Sequence, residues 1–231
     1  MLKLALIAEE GFGHRMLLWW NGEGAARVLK RLGRAALIEL ADAAVIVPAA
    51  ERTGSCEQFG ILCSVAERLH GRKAAAPWGI RPLAAWFVAL ETMATTIGGP
   101  LRDSAVIARK LFAAGSEAHV LHGDLHGDNV LFFGDRGWLA IDPKGFVGER
   151  VFDFVPMLTH GAAASKLTSE DLAARCVTVA GLARVEWTRL AGWSAAYSGL
   201  SLAWSLQDNN AGRHEWREVE RWNSVARAAG W

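Results

Sequence analysis

The densest chemistry in the chain lies in eight residues, His122-Gly123-Asp124-Leu125-His126-Gly127-Asp128-Asn129. They sit between the apolar pairs Val120-Leu121 and Val130-Leu131, which press polar groups against buried structure. Burying such groups costs roughly 2–7 kcal/mol each unless they are hydrogen-bonded, paired or bound to metal. A second cluster, Ile141-Asp142-Pro143-Lys144-Gly145, sets one carboxylate just past an apolar run. Between the clusters, Val130–Phe133 and Trp138–Ile141 flank Gly134-Asp135-Arg136-Gly137, which is good hairpin-turn chemistry. Such a hairpin returns Asp142 to the start of its first strand, beside Asn129. Asn129 and Asp142 can then grip one hard cation through oxygen, leaving positions for water and phosphate as magnesium prefers. Asp124 lies five residues before Asn129, and Asn129 thirteen before Asp142. A carboxylate beside such an oxygen pair is chemically able to take a hydroxyl proton. A capped loop whose Asp and His merely satisfy backbone donors is the plainer alternative. It suits a single Asp-Gly turn better than this whole constellation.

The rest of the chain must hold these clusters in place. A short helix is expected from Glu10 to Trp20, closed by Asn21-Gly22. The apolar runs Ala26–Leu29 and Ala35–Leu40 suit a small hairpin. Apolar residues at three- and four-residue spacing predict helices over Gln58–Leu69, Leu83–Thr95 and Ser104–Ala114. After Val151 the pattern is again helical, over Ser169–Ala180 with a Ser-x-Asp cap, Trp187–Gln207 and Glu215–Ala229.

Composition narrows the function further. A formal net charge of +1 over 231 residues leaves no basic surplus for nucleic acid or for an anionic membrane surface. Cys56, Cys63 and Cys176 form no C-x-x-C pair, so neither a zinc knuckle nor a disulfide framework is indicated, and buried thiols in a reducing compartment are expected. The apolar start, Leu4 to Ala8, meets Glu9 and Glu10 too soon for a signal peptide, and Glu39, Asp42 and Pro48 break the stretch from Ala35 to Ala50. A soluble, cytoplasmic protein is expected, with no nucleic-acid or membrane partner. Eleven Trp against one Tyr point to helix packing rather than an aromatic binding platform.

The base Asp, the Asn five residues on, and the metal-binding Asp beyond a hairpin follow the catalytic pattern of protein kinases. The stretches His122–Leu131, Trp138–Pro143 and Gly148–Asp153 resemble the aminoglycoside phosphotransferase group of the protein-kinase-like superfamily. Trp19-Trp20-Asn21-Gly22-Glu23-Gly24-Ala25-Ala26-Arg27-Val28-Leu29 resembles the W-x-G-x-G-A-x-R-L-L segment of streptomycin 6-kinases and hydroxyurea resistance kinases. Ala36–Glu39 and Gly199–Trp204 resemble the same family's next strand and late helix. The resemblance implies an α+β, protein-kinase-like fold. Residues 1–45 would form an incomplete N-terminal nucleotide-binding lobe, and 46–231 a mainly helical catalytic lobe.

By that resemblance Asp124 is the catalytic base, His122 braces its loop, and Asn129 and Asp142 hold Mg2+. His126 is expected to be structural. Lys3 would meet the α- and β-phosphates of ATP, with Glu9 or Glu10 as its ion-pair partner, although neither fits the family's helix spacing well. Glu39, Leu40 and Ala41 would form the adenine hinge. The implied activity is transfer of phosphate from ATP to an alcohol group of a small, cationic acceptor of the streptomycin type, or to hydroxyurea, giving antibiotic resistance. Glu149, Asp153 and Asp208 are candidates for an acidic rim that binds such a cation.

The family carries further strands and a turn over the phosphates before its lysine strand, whereas this chain opens at that strand. Unpaired edges and a loose N-terminal part are therefore expected. Two rival readings follow. One is a kinase-like remnant that binds without turnover. The other is a metallophosphoesterase, whose G-D-x-H-G opening is spelled by Gly123–Gly127, but whose G-N-H block and further ligands are missing.

Overall fold

The computed structural model describes residues 1–6, 8–42, 45, 47, 56–160 and 167–231, the side chains of residues 8–10 and 56 excepted. In chain order the elements are β1 (Leu2–Leu4), α1 (Ala8–Trp20), β2 (Val28–Leu32), β3 (Ala35–Ile38), α2 (Cys56–His70), β4 (Arg81–Pro82), α3 (Val88–Ile97) and α4 (Pro100–Ala113). They continue with β5 (Ala118–Leu121), β6 (Val130–Phe132), β7 (Trp138–Ala140), β8 (Phe146–Glu149), α5 (Pro156–Thr159), α6 (Ser169–Ala183), α7 (Trp187–Gln207) and α8 (Arg213–Ala228). Two compact units emerge. One joins Met1–Ala49 and Ser55–Arg81 to Ala118–Met157, and the other contains Pro82–Glu117 and Leu158–Trp231.

In the first unit β3 is the middle strand of an antiparallel sheet of order β1-β3-β2, with Lys3 opposite Ala36. Leu2, Leu4, Leu32 and Leu37 of this sheet are solvent-exposed. The expected hairpin starts later than its apolar run, at Val28, because Ala25 and Ala26 are engaged elsewhere. The Ala26 N–H donates to the Ala140 carbonyl at 2.9 Å, and the Ala140 N–H donates to Gly24 at 2.9 Å. Gly24 makes this approach possible. Its φ is +74°, and a Cβ there would lie 2.9 Å from the Leu69 backbone nitrogen.

Helix α1 buries Met16, Leu17 and Trp20, and α2 buries the apolar stripe its spacing predicts, Phe59, Leu62, Val65, Ala66 and Leu69. The Trp20 indole N–H donates to the Leu69 carbonyl at 3.2 Å and ties the two helix ends together. The β6–β7 hairpin forms on its expected residues, with Phe132 opposite Trp138. Strands β5 and β8 pair antiparallel and have no counterpart in the expected elements.

The second unit is helical. Its core includes Leu90, Leu101, Leu111, Val179, Leu190, Leu200 and Trp222, with Trp193 edge-on to Phe87 and Phe112. Trp193, Trp222 and Trp20 are fully buried, so packing accounts for them; Trp78, at 87% exposure, is an exception. The cap of α6 is one residue earlier than its Ser-x-Asp pattern suggests. Thr168 accepts from the Asp171 N–H and donates its own N–H to the Asp171 carboxylate. A capping box needs three-residue spacing, which Thr168 and Asp171 have and Ser169 and Asp171 do not. Helix α4 also starts before its expected bound, with Pro100 in its first turn. No helix among the described residues is long and apolar enough to cross a membrane.

Candidate active site

Strand β5 delivers the chain into the polar loop, and one carboxylate fixes the loop's first turn. Asp153, with no exposed surface, accepts the His122 N–H at 3.0 Å and the Gly123 N–H at 2.8 Å. Gly123 has φ +83°, and a Cβ there would meet the Phe146 ring at 2.9 Å, so this turn requires glycine. His70, the last residue of α2, donates from Nε2 to Asp153 at 2.8 Å. Burial alone would raise the Asp153 pKa, but the hydrogen bond and charge of His70, the nearby His122 and the Gly123 N–H together hold it below the usual carboxylate value.

His122 is wholly buried and stacks on Trp20, with ring centres 6.3 Å apart. Its Nε2–H donates to the Ile141 carbonyl at 2.8 Å, and its Nδ1 accepts the Asp124 N–H at 3.3 Å. Burial pushes its pKa below the ordinary 6.5, against the pull of Asp153, Asp124 and Asp142, so the ring stays neutral. His122 thus braces the loop and ties it to the strand end that carries Asp142.

The hairpin closes the site as its spacing requires. The Ile141 N–H donates to the Asn129 carbonyl at 2.9 Å, which sets Asp142 beside Asn129. The Asn129 side-chain nitrogen donates to the Asp124 carbonyl at 2.8 Å and lies 3.0 Å from His126 Nε2. That orientation commits the amide nitrogen and leaves the amide oxygen as the atom that could meet a cation. His126 Nε2 is 3.5 Å from the Asp124 carboxylate. Asp142 adopts a left-handed backbone, φ 56°, and pairs with the Lys3 ammonium. Lys3, His14, Asp124, Asn129, Asp142 and Lys144 line one cavity of about 220 Å³. Two hard oxygen donors with an ammonium alongside suit a magnesium-bound polyphosphate.

Expected residues outside the cavity are placed as follows. The Glu39 carboxylate pairs with Arg136 from the β6–β7 turn and accepts the Arg27 N–H at 2.5 Å. Glu39 N–H donates to Arg27 at 3.0 Å and Asp42 N–H to Phe132 at 2.7 Å, so this strap is anchored at both ends. Among the described residues, the backbone groups of Leu40 and Ala41 between those anchors make no hydrogen bond. The rim role expected of Asp153 needs correction, because its carboxylate is sealed inside and committed to three donors. Glu149, opposite Ala118 in β8, is buried and does not line the cavity. Asp208 is exposed at the end of α7, in the other unit. Lys3 pairs with Asp142; the side chains of Glu9 and Glu10 lie outside the described residues.

Sequence reasoning missed three residues. Lys144 stands in a cluster already singled out, two residues after Asp142. His14 and His70 carried no local signal, since each is a lone histidine on a helix.

An aspartate, an Asn–Asp oxygen pair and a lysine thus gather around one cavity. The family model for aminoglycoside/hydroxyurea antibiotic resistance kinases matches residues 1–209. A streptomycin 3''-kinase of Klebsiella pneumoniae is 42% identical over 217 residues, covering 90% of this chain and 80% of that protein. A streptomycin 6-kinase of Streptomyces griseus is 28% identical over 203 residues, 82% of this chain and 64% of that protein. Among solved structures, a choline kinase from Streptococcus pneumoniae matches with a TM-score of 0.66 at 13% identity, covering 98% of this chain and 85% of that one. The chain belongs to the aminoglycoside/hydroxyurea antibiotic resistance kinase family and has its protein-kinase-like α+β fold. That membership removes the metallophosphoesterase reading.

Proposed function

We propose that the chain transfers the γ-phosphate of ATP to a hydroxyl of streptomycin or a close, cationic relative. The observation that carries this reading is the gathering of Asp124, Asn129, Asp142 and Lys3 around one cavity. Asp124, held from behind by the Asp153 contacts to His122 and Gly123, orients the acceptor hydroxyl and takes its proton. The acceptor oxygen attacks the γ-phosphorus as the bond to the ADP oxygen breaks, and ADP departs with that electron pair. Asn129 and Asp142 would hold Mg2+, which would supply charge neutralisation on the phosphates. Lys3 exchanges its pairing with Asp142 for the α- and β-phosphates. The backbone groups of Leu40 and Ala41, which have no hydrogen-bond partner among the described residues, suit an adenine edge, which needs a donor and an acceptor but no particular side chain.

Streptomycin is favoured as the acceptor because the 42% identical relative is a streptomycin kinase. The test is incubation with magnesium, ATP and streptomycin, followed by mass spectrometry and NMR of the product. A phosphate on streptomycin is expected, and its carbon assignment separates a 3''-type from a 6-type enzyme. ATP binding without any phosphorylated product from streptomycin, related aminoglycosides or hydroxyurea would favour a binding remnant instead.

A further inference from the structure

The geometry points to His70 as a positioning residue for the catalytic loop, acting through Asp153. A path of four links connects the α2 core to the base. Phe59, Leu62, Val65, Ala66 and Leu69 bury α2 and set its last residue rigidly. His70, 7% exposed at its side chain, donates from Nε2 to Asp153 Oδ2 at 2.8 Å. The same Oδ2 accepts the His122 N–H at 3.0 Å, and Oδ1 accepts the Gly123 N–H at 2.8 Å. Asp124 is the next residue.

A carboxylate with only two backbone donors retains a torsion about its Cβ–Cγ bond that can drop one of them. A third donor, fixed on a helix, removes that freedom. Nothing else anchors the His70 ring by hydrogen bonding: among the described residues its Nδ1 is buried without a partner. The Phe154 and His119 rings wall it at 6.0 and 5.8 Å and limit its rotation. A histidine present only to fill space would leave no donor aimed at the carboxylate that accepts the His122 and Gly123 N–H groups. Lys3, Asn129 and Asp142 make none of these contacts, so loss of His70 should act on turnover and spare nucleotide binding.

His70 affects turnover only if its loop transfers phosphate, the reading proposed above, whereas its hold on the loop can be measured without turnover. Three variants separate the roles. His70→Gln places an N–H where Nε2 stood, His70→Asn reaches only the position of Nδ1, and His70→Leu fills the space without a donor. Amide hydrogen exchange at His122 and Gly123 should quicken by about tenfold or more in the Leu and Asn variants, the effect of one charge-assisted hydrogen bond, and stay near wild type in the Gln variant. With MgATP and streptomycin, kcat should fall by roughly 10²-fold in the Leu and Asn variants and recover in the Gln variant, with KM for ATP little changed. Equal exchange in the Gln and Leu variants, or a loss spread evenly over the unit's amides, would overturn the positioning role. Local loss at His122 and Gly123 without a fall in kcat would uphold the hold on the loop and count against the loop as the phosphotransfer centre.

Discussion

Asp153→Asn offers a demanding test of how the loop is held, because it changes charge and donor pattern at almost constant volume. In the native site the carboxylate accepts three N–H groups, from His70, His122 and Gly123. An asparagine offers one acceptor oxygen and must turn its NH₂ toward at least one of those donors. Hydrogen bonds to a charged group contribute about 1.5–3 kcal/mol each, and at least one backbone bond is lost outright. Removing one member of a buried charged network typically destabilises by about 3–5 kcal/mol. For a chain of this size each kcal/mol lowers the melting temperature by roughly 2–4 °C, so a fall of about 6–20 °C is expected. Scanning calorimetry at neutral pH, without nucleotide, measures it. The acid limb supplies a second check. The folded pKa of Asp153 is depressed, so its contribution is fully present above the ordinary carboxylate value of 3.8 and is lost as pH falls through the lower folded value. Wild type and Asp153→Asn should therefore converge in stability in strong acid. A melting temperature within about 2 °C of wild type at neutral pH would refute the account of the loop.

Other outcomes follow from the same geometry. Asp142→Ala should abolish the thermal stabilisation given by magnesium-ATP, which for a bound ligand at a hundredfold its Kd is about 2.7 kcal/mol in wild type; an unchanged shift would remove Asp142 from the metal site. His122 is buried neutral with its pKa lowered, so the unfolded chain binds more protons below 6.5, and stability should decline as pH falls through that value toward the lower folded one. Urea denaturation from pH 7.5 to 5 reads this slope, and His122→Gln should flatten it.

That Asp124, Asn129 and Asp142 would gather in one place was more legible in the sequence than the elements around them. Asp124, Asn129 and Asp142 could be read because their spacing depends on a hairpin whose turn chemistry, Gly134 to Gly137, is local. The helices were legible from their buried stripes, and their starts shifted where a Pro or a three-residue cap set the boundary, as at Pro100 and Thr168. Strands β5 and β8 escaped notice because Ala118-His119 and Gly148-Glu149 show no apolar alternation; pairing with each other makes them strands. Asp153 read as a candidate for the acidic rim because its three donors come from His70, His122 and Gly123, at least thirty residues away in sequence. A partner at that distance leaves no local pattern. The same holds for Lys3, which meets Asp142 only through the fold.

The most direct test of the central claim is the phosphorylation of streptomycin by wild type and Asp124→Asn at saturating magnesium-ATP, with nucleotide binding measured on the same samples. The account predicts a turnover lower by roughly 10²–10⁴-fold in the variant, with ATP affinity and melting temperature near wild type. Turnover in Asp124→Asn close to that of wild type would contradict it, because Asp124 would then not be the group that takes the acceptor proton.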